Sequence, residues 1–312
     1  MALKLVVVGA GSHSQGNHLP ALARYVALHP DEVVLVGLCD LRRQHAEAMA
    51  EAYGFARAYA DLDEMLRVEE PDACIAVTPI PVTVQIAGQV IRAGLPLLME
   101  KPPGATLVEA QRLVELVAQR SARVMVSMNR RFDPALRAAQ HWWGDRPIAY
   151  LRACIVRTDR AEPEFAYGTA IHPLDAMRAI AGDVASYRVH VHHVSGVRWY
   201  VVHLQFASGT QGVLEVLPTA GLQAESYAWC GEGAYVEASV GEHDAGSARG
   251  WRGGTLALRH DTVEGEPLYV QNGTYAETAA FLSALQSDAP MHPSPAEVLQ
   301  SVEICQAMIE QA

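Results

Sequence analysis

An α/β fold in two parts is predicted: an N-terminal doubly wound parallel sheet, then a C-terminal α/β domain with a large, open, mostly antiparallel sheet. Three observations carry it. Short apolar runs alternate with helix-period segments as far as Met128, a β-α-β rhythm that builds a parallel sheet covered on both faces. Beyond Asn129, long strand-like runs follow one another across short turns such as Ser195-Gly196 and Ser208-Gly209, the pattern of antiparallel hairpins. The length of 312 residues suits roughly two domains, placed at 1–128 and 129–312.

Each element follows from local pattern. Leu3 to Val8 is a mostly apolar run ending in Gly9, a strand buried on both faces. His18 to His29 places Leu19, Leu22, Ala23, Val26 and Ala27 at a helical period. Glu32 to Cys39 is a strand stopped at Asp40, and Leu41 to Tyr53 a helix with Gly54 as its C-cap. Asp61 to Val68 is a short helix, Ala73 to Val77 a strand, and Thr83 to Ala93 a helix ended by Gly94. Pro96 to Met99 and Arg123 to Met128 are strands flanking a helix over Thr106 to Arg120. In the second half, a helix spans Pro134 to Trp143 and another follows His172. Strands are expected at Ile148–Arg157, Tyr187–Val194, Val197–Phe206, Gln211–Val216, Ala224–Cys230, Ala234–Ser239 and Thr255–Arg259. Helices over Tyr275–Leu285 and Pro295–Glu310 close the chain.

Composition excludes several classes of function. The net charge of −11 argues against a nucleic-acid surface, because phosphate neutralisation needs a basic face. No apolar run reaches the roughly 18 residues of a spanning helix, and Leu5 to Val8 is too short for a signal-peptide core. The five cysteines, Cys39, Cys74, Cys154, Cys230 and Cys305, are scattered, odd in number and form no CxxC. They read as reduced thiols of a cytoplasmic protein, with no disulfide or zinc framework, and no metal site is expected. His190 and His192 lie on one strand face, with His203 on a neighbouring strand; a solvated sheet face or a subunit contact is favoured there over a metal site.

Chemistry begins at Gly9-Ala10-Gly11-Ser12-His13-Ser14, a GxGxxG with serine in the third glycine's place. Gly9 permits the tight turn, Gly11 lets the backbone approach a pyrophosphate, and the helix N-terminus begun by Ser12 and His13 holds the anion. Asp40, at the end of the second strand, is placed to accept hydrogen bonds from both hydroxyls of an adenosine ribose. Its charge repels a 2′-phosphate, which favours NAD, with NADP left open by Arg42 and Arg43 nearby. Glu100-Lys101-Pro102-Pro103 ends another strand, and carboxyl ends of such strands line the ligand crevice. A lysine there polarises a hydroxyl or carbonyl oxygen; seen alone, a lysine before proline is an ordinary surface residue.

These pieces, in order, resemble the Gfo/Idh/MocA oxidoreductases: the loop GAGSHSQGNHLPAL, Asp40, Thr78-Pro79, Glu100-Lys101-Pro102, Asn129-Arg130-Arg131-Phe132 and His172-Pro173-Leu174-Asp175. The resemblance spans the chain. It implies an N-terminal Rossmann domain, a second α/β domain with an open sheet, and hydride transfer between NAD(P) and a sugar, cyclitol or related polyol. It implies cofactor contacts from Gly9, Gly11, Asp40, Thr78, Glu100, Lys101 and Asn129, with Lys101 also catalytic and His172 as acid–base partner. Where that family carries an aspartate four residues before the histidine, this chain has Gly168. Tyr167 and Asp175 stand nearest to fill the gap, with Arg131 beside them as a substrate contact, and Asp175 shares a helix face with His172 and so can orient its ring. Gly168 keeps a second reading open: a dinucleotide-binding sensor or regulator, or an enzyme that uses NAD transiently for elimination. The open sheet predicts a homodimer or homotetramer, since wide sheet faces need covering.

Overall fold

The computed structural model describes residues 2–162, 164–241 and 245–311. It divides into two compact units, Met1–Ser127 with Thr274–Leu299, and Met128–Gly273 with Gln300–Ala312.

The first unit holds a six-stranded sheet: β1 (Leu3–Val8), β2 (Val33–Cys39), β3 (Arg57–Tyr59), β4 (Ala73–Ala76), β5 (Leu97–Met99) and β6 (Val124–Val126), in the order β3-β2-β1-β4-β5-β6. All five pairings are parallel, so this is the doubly wound order expected of a dinucleotide-binding fold. Leu5, Val6 and Val7 of β1 are fully buried, as a central parallel strand requires. Register matters most. Val8 pairs with Cys39 on one side and Ala76 on the other, Ala76 pairs with Met99, and Met99 with Val126. The strands therefore end level, and the segments starting at Gly9, Asp40, Val77 and Glu100 leave the same edge of the sheet.

The helices between them are α1 (Leu19–Leu28), α2 (Arg43–Tyr53), α3 (Leu62–Glu69), α4 (Ile80–Arg92) and α5 (Leu107–Arg120). Gly54 closes α2 at φ +80°, as its position predicts. Asp61 caps α3 by accepting from Glu64 N–H at 2.7 Å, and Thr106 caps α5 by accepting from Glu109 N–H at 3.2 Å. A π-helical turn, Ser14–His18, precedes α1 and has no counterpart in the sequence reading.

The second unit contains α6 (Pro134–Trp143), α7 (Phe165–Gly168), α8 (Ile171–Ala181) and α9 (Leu268–Gln271). Its strands are β7 (Tyr150–Val156), β8 (Val184–Val194), β9 (Val197–Phe206), β10 (Gln211–Leu217), β11 (Ala224–Gly231), β12 (Ala234–Ser239), β13 (Ser247–Arg252) and β14 (Thr255–Asp261). They form one sheet in the order β14-β13-β12-β11-β7-β10-β9-β8. Only β7 and β10 pair in parallel; the other neighbours are antiparallel. Tyr200, Val202, Leu204 and Phe206 of β9 are buried, whereas His203 is exposed, the alternation expected of a sheet covered on one face.

Three expectations need correction. The strand β3 is absent from the sequence reading, because three residues beginning with an exposed arginine show no period. The strand β13 was equally hidden. Its Gly250 reads as a breaker, yet a Cβ there would meet the Trp142 ring of α6 at 2.8 Å, so glycine is what lets the helix approach. The third concerns the domain boundary. The break falls at 127/128, but 274–299, assigned from sequence to the second domain, returns to the first. Helix α10 (Thr274–Ser287) is bound there by named contacts: Ser127 Oγ donates to Glu277 at 2.7 Å, and Arg123 Nη2 donates to the Ala284 and Ala289 carbonyls at 2.6 and 3.0 Å. Val126 N–H donates to Pro293 O at 2.8 Å, occupying the free edge of β6. Helix α11 (Pro295–Glu310) then carries the chain into the second unit.

Candidate cofactor and catalytic site

Gly9 sits at φ +94°, and a Cβ on it would lie 2.0 Å from Val77 O. Backbone freedom and the close pass of the strand after β4 both demand glycine. Gly11 is different: a Cβ there would meet nothing within 4 Å. The space over Gly11 is open, as backbone approach by a bound pyrophosphate needs. Ser12 and His13 begin the helix with exposed side chains, and Ser14 is fully buried, the close helix–strand packing expected of the third position.

The loop is held from two sides. Ala10 N–H donates to Asp40 Oδ2 at 3.0 Å. The Ala10 carbonyl accepts from Gln15 Nε2 at 2.8 Å and from His45 Nε2 at 2.7 Å. Asp40 Oδ1 accepts from Arg42 N–H and Nε at 3.0 and 3.1 Å. Partial burial alone would raise the Asp40 carboxyl, but Arg42 and these two backbone N–H groups outweigh it and hold it below the usual range. Asp40 is therefore ionised at neutral pH and lies at the loop, while Arg42 folds back onto it. Arg43 pairs instead with Glu47 at 3.0 Å. The other end of the sheet edge carries Thr78, whose hydroxyl lies 3.1 Å from that of Thr83, and Glu100-Lys101. Lys101 is half-buried, and its N–H donates to Glu100 Oε2 at 3.2 Å.

Glu100 shows what the sequence reading missed. Its Oε1 lies 2.7 Å from Nε2 of His18 and 3.1 Å from Nε2 of His13. Burial would raise this carboxyl; the two imidazoles win and hold it well below the ordinary range. In the sequence His18 marks only the start of a helical period. The π-turn, which no side-chain period announces, is what brings it beside His13.

In the second unit the structure departs from two expectations. Asn129, implied as a cofactor contact, is buried; its Nδ2 donates to Asn272 O at 2.9 Å and its Oδ1 accepts from Arg130 Nη1 at 3.2 Å. Both ends of the amide thus hold the chain in place. Asp175, expected to orient the His172 ring or meet substrate, is 1% exposed, and both its oxygens accept from Arg131, at 2.7 and 2.9 Å. Ser301 Oγ donates to it as well, at 3.3 Å. A buried carboxylate demands such partners, so Arg131 and Asp175 form a structural ion pair that ties the turn 129–132 to α8. Tyr167 is buried in α7, and His172, half-buried, lies in the first turn of α8. Gly168 ends the single turn of α7, a right-handed helical position that aspartate adopts without strain.

Below that turn lies a buried ionic cluster. Glu225 accepts from Arg130 Nε and Nη2 at 3.1 and 2.9 Å, from Tyr227 OH at 2.6 Å, and from Arg157 Nη2 at 3.5 Å. All four side chains are buried. The histidines of the open sheet meet in part: the His190 and His203 rings stand edge to face, 5.4 Å apart.

Residues 3–128 match the family model GFO_IDH_MocA, described as an oxidoreductase family with an NAD-binding Rossmann fold. The chain is 28% identical to a D-apiose dehydrogenase of Paraburkholderia graminis, over 58% of this chain and 50% of that protein. It is 30% identical to an inositol 2-dehydrogenase of Paracoccus denitrificans, over 59% of this chain and 55% of that protein. The matched region thus spans about half the length of these curated relatives. The fold resembles that of a Gfo/Idh/MocA family oxidoreductase from Vibrio cholerae, with a TM-score of 0.84 at 21% identity and 99% of each chain covered. No helix among the described residues is long and apolar enough to cross a membrane. With its glycine loop, its level strand ends and Asp40 in place, the segment 3–128 is an NAD-binding Rossmann domain that matches the Gfo/Idh/MocA oxidoreductase family.

Proposed function

We propose that this protein is an NAD-dependent dehydrogenase or reductase acting on the CH–OH group of a sugar, cyclitol or related polyol. The observation that carries this reading is the level edge of the parallel sheet, which assembles the open backbone at Gly11, the ionised Asp40 and Lys101. The dehydrogenase names of the D-apiose and inositol relatives support the substrate class. The bound dinucleotide supplies the hydride chemistry. Gly9, Gly11, Ser12 and His13 hold its phosphates, and Asp40 its adenosine ribose. Lys101 Nζ donates a hydrogen bond to the reacting oxygen, and His172 holds or takes the proton. Consumption of NADH with a panel of ketosugars and inosose-type ketones tests the reading. Quenching or shifting of NADH fluorescence without consumption across the panel overturns it. Gly168 favours that second outcome, a binding protein without turnover, because an acid–base contributor of the family is missing there.

Asp40 sets the cofactor preference in this proposal. Asp40→Ser removes the ribose acceptor and frees Arg42 to meet a 2′-phosphate. The NADP/NAD preference ratio is expected to rise about tenfold or more, or about 1.4 kcal/mol, measured by fluorescence titration of both cofactors. An unchanged ratio, or a wild type already preferring NADP, refutes the placement.

The polar face of the open sheet, with Arg152, Glu215 and His203 directed away from the buried residues, is proposed as the contact of a homodimer or homotetramer. Sedimentation as a monomer at micromolar concentration contradicts this.

A further inference from the structure

We infer that His13, His18 and Glu100 form a binding site for one divalent transition-metal ion of the zinc class. The three ligand atoms all lie within 4.8 Å of one another, with Nε2 of His18 and of His13 converging on a single oxygen, Oε1 of Glu100. Two imidazoles and one carboxylate are the protein ligands of a recurrent zinc geometry that keeps a fourth position open. Nitrogen donors favour zinc, cobalt or nickel over magnesium and calcium.

Backbone geometry builds the site. In a regular α-helix, residues five apart are turned about 140° from one another. The π-turn Ser14–His18 closes residue i onto i+5 instead, and so brings His13 and His18 onto one face. Opposite them, Glu100 leaves the end of β5 with its second oxygen, Oε2, held by Lys101 N–H at 3.2 Å. Oε1 is thereby directed at the rings.

A second observation points the same way. The His18 ring is 1% exposed, and its Nδ1 is buried with no hydrogen-bond partner. An unsatisfied buried nitrogen costs free energy that an apolar side chain of similar size avoids. The imidazole is kept for what its Nε2 does. Metal–nitrogen bonds of about 2.0–2.1 Å place tetrahedral ligand atoms about 3.3 Å apart; the Glu100 oxygen stands 2.7 and 3.1 Å from the two nitrogens and all three atoms lie within 4.8 Å, so binding calls for an adjustment of the rings. His13, more than half exposed, can make that adjustment and leaves the fourth position toward solvent.

The test is a Co²⁺ titration of the full chain, stripped with EDTA and dialysed, without dinucleotide, followed by visible ligand-field absorption. One Co²⁺ per chain is expected, with the intense bands of low coordination, bleached by one equivalent of Zn²⁺. His13→Ala, at an exposed position, and the isosteric Glu100→Gln are each expected to weaken binding at least about tenfold. Unchanged near-ultraviolet circular dichroism checks that both variants fold. His190→Ala, on the exposed sheet face, is expected to bind like wild type. Absence of a ligand-field band, equal affinity in His13→Ala, or loss in His190→Ala instead overturns the proposal. Because the readout needs neither substrate nor cofactor, its failure leaves the dehydrogenase reading standing, and failure of that reading leaves the cobalt spectrum unaffected.

Discussion

Lys101→Ala is expected to lower turnover by about two to four orders of magnitude, the range for a positioned acid–base or polarising group, with NADH affinity largely kept. The split follows from where the groups sit. The dinucleotide is held in this proposal by Gly9, Gly11 and Asp40, and the loop between them is fixed by Asp40, Gln15 and His45 through Ala10. The Lys101 backbone N–H supports Glu100, and alanine retains it. Loss of the ammonium therefore removes the donor to the reacting oxygen. His172→Ala is expected to fall by a similar factor. Single-turnover hydride transfer, followed by NADH absorbance on any substrate the wild type accepts, gives the rate; NADH fluorescence gives the affinity. Wild-type-like rates in both variants show that these residues are not the acid–base pair, and the binding-protein reading then moves ahead.

Glu225→Ala is expected to destabilise the second unit by about 3–5 kcal/mol, the cost of breaking a buried ion pair from one side. It leaves the guanidiniums of Arg130 and Arg157, both buried, without their shared counter-charge, and strips Tyr227 OH of its acceptor. Reporting is selective here. Trp142, Trp143, Trp199, Trp229 and Trp251 all lie within Met128–Gly273, so tryptophan fluorescence follows the second unit alone. Its thermal midpoint is expected to fall by about 6–20 °C. Glu225→Gln, which keeps the acceptor oxygen and loses the charge, falls by less. A shift below a few degrees in Glu225→Ala indicates that water reaches the two guanidiniums. The same cluster anchors Arg130 beside Arg131, so cooperative loss of the turn 129–132 accompanies the drop.

Local pattern alone determined a good deal of this protein. The run Leu3–Val8 ends in a glycine that nothing larger replaces, because Val77 O lies where a Cβ would go. Gly54, Asp61 and Thr106 close or open helices by their own backbone and side-chain chemistry. These signals act over a few residues, so sequence carries them directly. The loop, Asp40, Glu100 and Lys101 were legible for the same reason: each follows a strand whose apolar run is visible, and parallel strands of similar length end together.

Only the tertiary structure decided the rest. Whether α10 covers the first sheet or the second is invisible in its sequence, because its buried face carries Thr274, Glu277 and Thr278 beside Phe281 and Leu282 and so shows little apolar period. The contacts from Arg123, Val126 and Ser127 settle it. Asp175 shares a helix turn with His172, yet its charge is met by Arg131, which lies 44 residues earlier in the chain. A buried carboxylate goes to the strongest donor within reach, and reach is set by packing rather than by sequence distance. His13 and His18 meet because one turn of helix widens to the π form, a change of backbone hydrogen bonding from i+4 to i+5 that is chosen by what packs around it.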